Sequence, residues 1–318
     1  MTGRELLLAA CLDTLVGDPR WLPHPVRGMG AVIAWCDAHV RGMCQSPAGL
    51  RLAGIGLAVG LPGAVYAVGY AAIDAASDLS LWCGTAVSIV LASTTLAGRD
   101  LWDHVRAVRD ALQQGNLPAA RQAVAMIVGR DTEPLSESGV VRAAVETVAE
   151  STADGVIAPL FYLAIGGAPL ALAYKAVNTL DSMVGHRDEW HLDFGWASAR
   201  LDDIANWVPA RLTAVLLVFA SGLVTGQIDP MRNGWRIFWR DGGNHPSPNS
   251  GRPEAALAGV LGVQLGGLNY YDGVPHERPF IGEAARALVV EDISLAMRMM
   301  VMACVLGLAM AGGMRWLV

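Results

Sequence analysis

The sequence predicts an all-α, polytopic integral membrane protein, and three observations carry that reading. Of 318 residues, 53% are hydrophobic and only 16% charged, whereas a soluble protein of this size carries about a quarter charged residues. Mean hydropathy is +0.38. The 36 glycines are spread through apolar stretches rather than gathered in linkers, which excludes collagen and argues against disorder.

Uncharged runs place the spans, because a helix needs roughly 20 residues to cross a hydrocarbon core about 30 Å thick. Leu6 to Val16 is too short, is interrupted by Asp13 and has no small-residue cleavage site after it, so it reads as a retained interfacial or packed helix. The candidate spans are 52–73, 79–98, 155–177, 208–228 and 295–316, about five in all. The first two form a tight hairpin turning at Asp74 to Asp78. Pro159, Gly166, Gly167 and Pro169 interrupt the third, which predicts a bent, re-entrant or deeply packed segment. Between the spans lie polar segments 17–51, 99–154, 178–211 and 229–294, and residues 1–318 are expected to form a single membrane-embedded domain. Leu101, Val105, Val108 and Leu112 recur at helical spacing, so the polar segments are expected to hold amphipathic helices against the membrane face.

Charge sets orientation and excludes partners. The 74–78 turn has no Lys or Arg while 99–154 has six arginines, which puts the latter in the cytoplasm. The formal charge is −6 and Lys175 is the sole lysine, so no basic block exists for nucleic acid. Five cysteines without CxxC spacing read as small apolar residues in a reducing setting. HExxH, GxSxG and P-loop patterns are absent.

Five constellations could carry chemistry. Glu146, Glu150 and Asp154 follow at four-residue spacing, which on an α-helix places three carboxylates on one side, suited to Mg²⁺ or to a solvated face with Arg142 paired to Glu146. In Gly129-Arg130-Asp131-Thr132, Asp131 or Thr132 could cap the following helix, or Arg130 could seat a phosphate at its N-terminus. Lys175, Asn178, Thr179 and Ser182 form a polar stripe with Asp181 beside it: a snorkelling lysine, or a phosphate grip with an acid for a metal or a proton. Arg200 and Asp203 have ion-pair spacing, yet Asp202 and Asp203 entering a span are costly without a cation. The run from Arg240 to Gly251, with His245, Ser247 and Asn249, could wrap a phosphate or a polar substrate edge.

Taken in order, GDPRWLPHPVRGMG (17–30), GRDT (129–132), ETVAESTADGVIAPLFY (146–162), YKAVNTLDSMVG (174–185), FGWASARLDDIANWVPARLT (194–213) and NHPSPNSGRPEAALAGVLGVQLGG (244–267) resemble the adenosylcobinamide-phosphate synthase family, cobalamin biosynthesis proteins of the CobD/CbiB type. The resemblance spans nearly the whole chain, with Ser151 where Asn is expected and His186 where Tyr is common. It implies an ATP-dependent ligase of the inner (cytoplasmic) membrane, working on the cytoplasmic side, with homo-oligomerisation left open. The reaction would join adenosylcobyric acid to aminopropanol or aminopropanol phosphate, forming adenosylcobinamide or its phosphate. Among its motifs Glu150, Asp154, Asp202 and Asp203 are expected to hold Mg²⁺. Arg130, Lys175 and Arg240 would hold phosphates, with Asp131, Thr132, Asn178, Arg200, Ser247 and Asn249 assisting in ATP binding. His245, Glu146 or Asp181 would act as the base. A non-catalytic AmpE-like membrane sensor is the rival reading; a transporter would require internal symmetry, and no repeat is seen.

Overall fold

The computed structural model describes residues 1–19, 21, 24–44, 46–186 and 191–317. Arg20, Leu22 and Pro23 of the 17–30 motif lie outside the described residues. In chain order the helices are α1 (Gly3–Val16), α2 (Pro25–Met43), α3 (Pro47–Leu79), α4 (Leu81–Ser93), α5 (Gly98–Gln113), α6 (Leu117–Ala125) and α7 (Glu137–Thr152). A π turn, Ala153–Ile157, leads into α8 (Ala158–Val184), followed by α9 (His191–Phe194), α10 (Trp196–Ala205), α11 (Trp207–Thr225), α12 (Ile228–Asp241) and α13 (Gly251–Leu261). Strands β1 (Gln264–Tyr271) and β2 (Val274–Gly282) precede α14 (Val290–Leu317).

Among the described residues, five helical stretches are long and apolar enough to cross a membrane: Pro47–Leu79, Leu81–Gln113, Glu137–Val184, Trp207–Thr225 and Val290–Arg315. Each contains most of one predicted span. The fold is thus helical and polytopic as expected, with one addition, the antiparallel β1–β2 hairpin. Its turn is Asp272-Gly273, both at positive φ, the pairing that a two-residue hairpin turn favours.

Three local expectations need correction. Helix α3 does not turn at Asp74 to Asp78 but continues to Leu79, because Ser80 is the residue whose hydroxyl accepts from Cys83 N and starts α4. Helix α5 does bury Leu101, Val105, Val108 and Leu112, but the partners of that face are other helices of the chain, α6 and α7. The 229–294 segment is not a set of loops: α12, α13 and the hairpin occupy most of it. The bend in the third span is present. Gly167 breaks α8 with φ 69 and ψ −165 beside Pro169, a backbone region open essentially to glycine.

Within the chain, expected to form a single domain, the helices gather into two compact units: Met1–Ala97 with Ala158–Asn206 and Leu308–Val318, and Gly98–Ile157 with Trp207–Gly307. In the first, α3 and α8 pack against α4, α2 and α10. Ile33, Leu180, Val184 and Phe194 form one apolar cluster there, and Met29, Leu172 and Ala176 another. In the second, α13 is buried from Gly251 to Leu261 except Arg252, packed by α11, α12 and α7. Ala214, Val218, Phe238 and Ala256 make its core cluster.

Candidate functional site

Each unit carries one polar cluster. In the second unit it is built on α7, whose N-terminus is capped by Ser136 accepting from Gly139 N at 3.2 Å. Asp131 and Thr132 therefore do not cap this helix. The GRDT motif clamps the hairpin instead: Asp131 N donates to Tyr270 O at 2.8 Å and Gly273 N to Asp131 Oδ2 at 2.7 Å. Arg130 donates to Asn269 Oδ1 at 2.7 Å and to Glu146 Oε2. Both its terminal nitrogens are engaged by protein oxygens, and Arg130 and Glu146 are buried, so Arg130 is the cation of a core ion pair rather than an open phosphate seat.

Glu146 is correspondingly not on a solvated face. Its Oε1 accepts from Gly266 N at 2.8 Å and lies 3.9 Å from Arg142 Nε. The physical cause is a β-bulge. Register slips between Leu265 and Gly267, Gly266 and Gly267 take positive φ, and the freed N–H and C=O of Gly266 turn to Glu146 and Arg142. Glu150, one turn on, accepts from Ser250 Oγ at 2.8 Å. Asp154 lies in the π turn, so the α-helical spacing that aligned it with Glu146 and Glu150 ends before it.

The 240–251 segment is held largely by its own polar atoms. Arg240 pairs with Asp241 at 2.7 Å and with Glu283. Asn249 N and Ser250 N both donate to Ser247 Oγ. Asn249 Oδ1 accepts from Arg211 Nη1 at 3.3 Å. Ser247 N donates to His245 Nδ1 at 2.9 Å, and Nε2 lies 3.4 Å from Arg278 Nη1. Burial and the neighbouring Arg278 push the His245 pKa down. Arg278 Nη2 donates to Tyr271 Oη at 2.8 Å.

Two members of this cluster escape a sequence reading. Arg278 sits in a stretch that reads as an exposed loop. Glu254, in the first turn of α13, reads as a charge complementing a helix N-terminus, yet its residue is only 2% exposed. The signal that could have found it is the run Ala255 to Leu261, which has no polar side at all and so marks a helix buried all round. A cavity of about 450 Å³ lies near this cluster, lined by Ser136, Ser138, Arg142, Gln264, Tyr270 and Arg286 among others.

In the first unit the cluster joins α8 to α10. Tyr174 Oη donates to Asn206 Oδ1 at 2.8 Å, and Asn206 Nδ2 donates to Asp202 Oδ1 at 3.0 Å. Tyr162 stacks on Tyr174 with centroids 4.8 Å apart and donates to Ala205 O at 2.8 Å. Lys175 Nζ reaches Asn178 Oδ1 at 3.4 Å, while Thr179 and Ser182 hydroxyls bond back to the carbonyls of Lys175 and Asn178. Burial first, then the charge of Asp181, raises the Asp202 pKa to about 7 against the opposing hydrogen bonds from Asn206 and Asn178. Arg200 pairs with Asp203 at 3.3 Å on an exposed surface.

Among the described residues no three His, Cys, Asp or Glu side chains are grouped to hold a metal ion. The pair Asp202 and Asp203 with Asp181 near by still suits Mg²⁺, which takes one or two carboxylates and fills its other positions with water and phosphate; a cation would relieve the crowding that raises Asp202.

A family model described as CobD/Cbib protein matches residues 6–300. The chain is 51% identical over 288 residues to "Cobalamin biosynthesis protein CobD" of Geobacter metallireducens, covering 90% of this chain and 88% of the relative. It is 47% identical to the protein of the same name from Citrobacter koseri, covering 98% and 96%. It is 45% identical to "Cobalamin biosynthesis protein CbiB" of Salmonella typhimurium, again covering 98% and 96%. No solved structure matches.

Proposed function

The chain belongs to the CobD/Cbib family, and from that premise we propose that it is an ATP-dependent amide ligase of cobalamin biosynthesis. The substrates are adenosylcobyric acid and aminopropanol phosphate or aminopropanol; the products are adenosylcobinamide phosphate or adenosylcobinamide, ADP and phosphate. A carboxylate is a poor acyl donor. Its oxygen attacks the γ-phosphorus of ATP, ADP leaves, and the acyl phosphate then loses phosphate to the attacking amine nitrogen. The amine must shed a proton to a base during attack.

What supports the reading is the Lys175, Asn178, Asp181 and Asp202 cluster, where a lone lysine and crowded acids meet at the end of an apolar helix. Lys175 and Asn178 grip phosphate oxygens. Asp202 and Asp203 would hold Mg²⁺, whose charge offsets that of the phosphates. Of the three candidate bases, Asp181 takes the role, because its charge bears on Asp202 within the cluster that would hold metal and phosphate. Arg130, Arg240, Ser247 and Asn249 hold the fold around the second cluster and are not assigned to ATP. The protein lies in the cytoplasmic membrane, with the chemistry on the cytoplasmic side where ATP is supplied.

The test is purified protein in detergent with adenosylcobyric acid, Mg-ATP and aminopropanol phosphate, reading the corrinoid mass and ADP. Asp181→Asn should lower turnover about 10²-fold or more, the range of a lost general base. Full activity in that variant removes Asp181 from the reaction, and absence of any new amide in the wild type leaves the sensor reading standing.

A further inference from the structure

Glu254 is the feature the assigned roles leave unexplained. Its residue is 2% exposed, its Oε1 has no hydrogen-bond partner among the described residues, and the charges of Glu146 and Glu150 bear on it, opposed by those of Arg278 and Arg130. A buried acid without a partner costs stability, and α13 would be better packed with a neutral residue there. Its neighbours are already committed: Arg130 serves Glu146 and Asn269, and Arg278 serves Tyr271. Glu150 has a neutral hydroxyl, Ser250, as its hydrogen-bond donor. Two carboxyls on α7 and α13 thus face each other's field with fewer donors than they can accept.

We propose that Glu254, together with Glu150, is the seat of a cationic amino group of a small ligand. An ammonium brings three donors and one positive charge, which matches one unpartnered carboxyl and one half-satisfied one. A metal ion fits less well, since no three acidic or histidine side chains group for it among the described residues. Glu150, Ser250 and Arg278 are half-buried. Burial and the two neighbouring glutamates also hold Glu254 well above the usual carboxylate range. The inference goes beyond the Lys175 and Asp202 cluster and rests on the ligase reading only for the identity of the amine.

The experiment is calorimetric titration of the full-length protein in detergent, without ATP or corrinoid, using 1-amino-2-propanol, its uncharged counterpart propane-1,2-diol, and MgCl₂ as separate ligands. The amine should bind, the diol should bind at least tenfold more weakly, and Mg²⁺ should not displace the amine. Glu254→Gln should weaken the amine at least tenfold while raising thermal stability, because an unpartnered buried acid has been replaced by a neutral isostere; Glu254→Asp should retain part of the affinity. Equal binding of amine and diol, displacement by Mg²⁺, or unchanged affinity in Glu254→Gln overturns the assignment, and where that variant does not fold, unchanged affinity in Glu150→Gln overturns it. Amine binding that obeys these expectations in a protein forming no amide would defeat the ligase reading and leave the cation seat intact.

Discussion

Arg130 and Glu146 form an ion pair buried between α7 and β1, completed by Asn269 and Gly266. Removing one charge strands the other in a place water does not reach, and breaking such a pair costs about 3–5 kcal/mol. Arg130→Ala should therefore lower the unfolding free energy in detergent by that amount, read by thermal or denaturant unfolding, and should loosen β1, which the same arginine holds through Asn269. A change under about 1 kcal/mol would mean that the pair is solvated or replaced. The residue scale is also where sequence inference misassigned roles. An arginine in a GRDT motif has the same formula whether its guanidinium meets a phosphate or a glutamate sixteen residues on, and the partner is fixed by how α7 and the hairpin pack. Arg240, committed to Asp241 and Glu283, makes the same point.

Helix α8 shows what an element owes to one residue. Gly167 sits at φ 69 and ψ −165 with Pro169 two residues on, so the helix breaks and resumes within an apolar run. A Cβ in that backbone region costs of order 1–3 kcal/mol. Gly167→Ala should show that loss in unfolding, whereas an unaltered midpoint would place the bend elsewhere. The bend was legible in advance because Gly and Pro carry their backbone constraints with them. Close packing was not: Gly54 lies where a Cβ would overlap the Phe194 carbonyl, and nothing local distinguishes it from Gly56 or Gly60, which meet nothing within 4 Å. The hairpin falls between these cases. Tyr271-Asp272-Gly273-Val274 carries a recognised two-residue turn signal, but the flanking strands, with two glycines in β1 and a mostly exposed β2, lack the alternation that would have announced them.

For the molecule as a whole, the five apolar helices and the arginine bias of 99–154 give a sidedness that can be measured. Gln114→Cys, placed in the exposed turn between α5 and α6 in a background freed of its five cysteines, should react with an impermeant maleimide only when the cytoplasmic face is opened; labelling from outside intact cells would reverse the orientation. Span number, the bend in the third span and the family were determined by the sequence alone, because hydropathy over about 20 residues, Gly and Pro constraints and long ordered motifs are properties of consecutive residues. Which acids are paired, which are stranded and which face one another was decided only by tertiary structure. Glu146 meets Gly266, and Ser250 meets Glu150, across more than ninety residues of chain. The energy of a buried charge depends on the partners that packing brings within a few ångströms, and no local pattern encodes those.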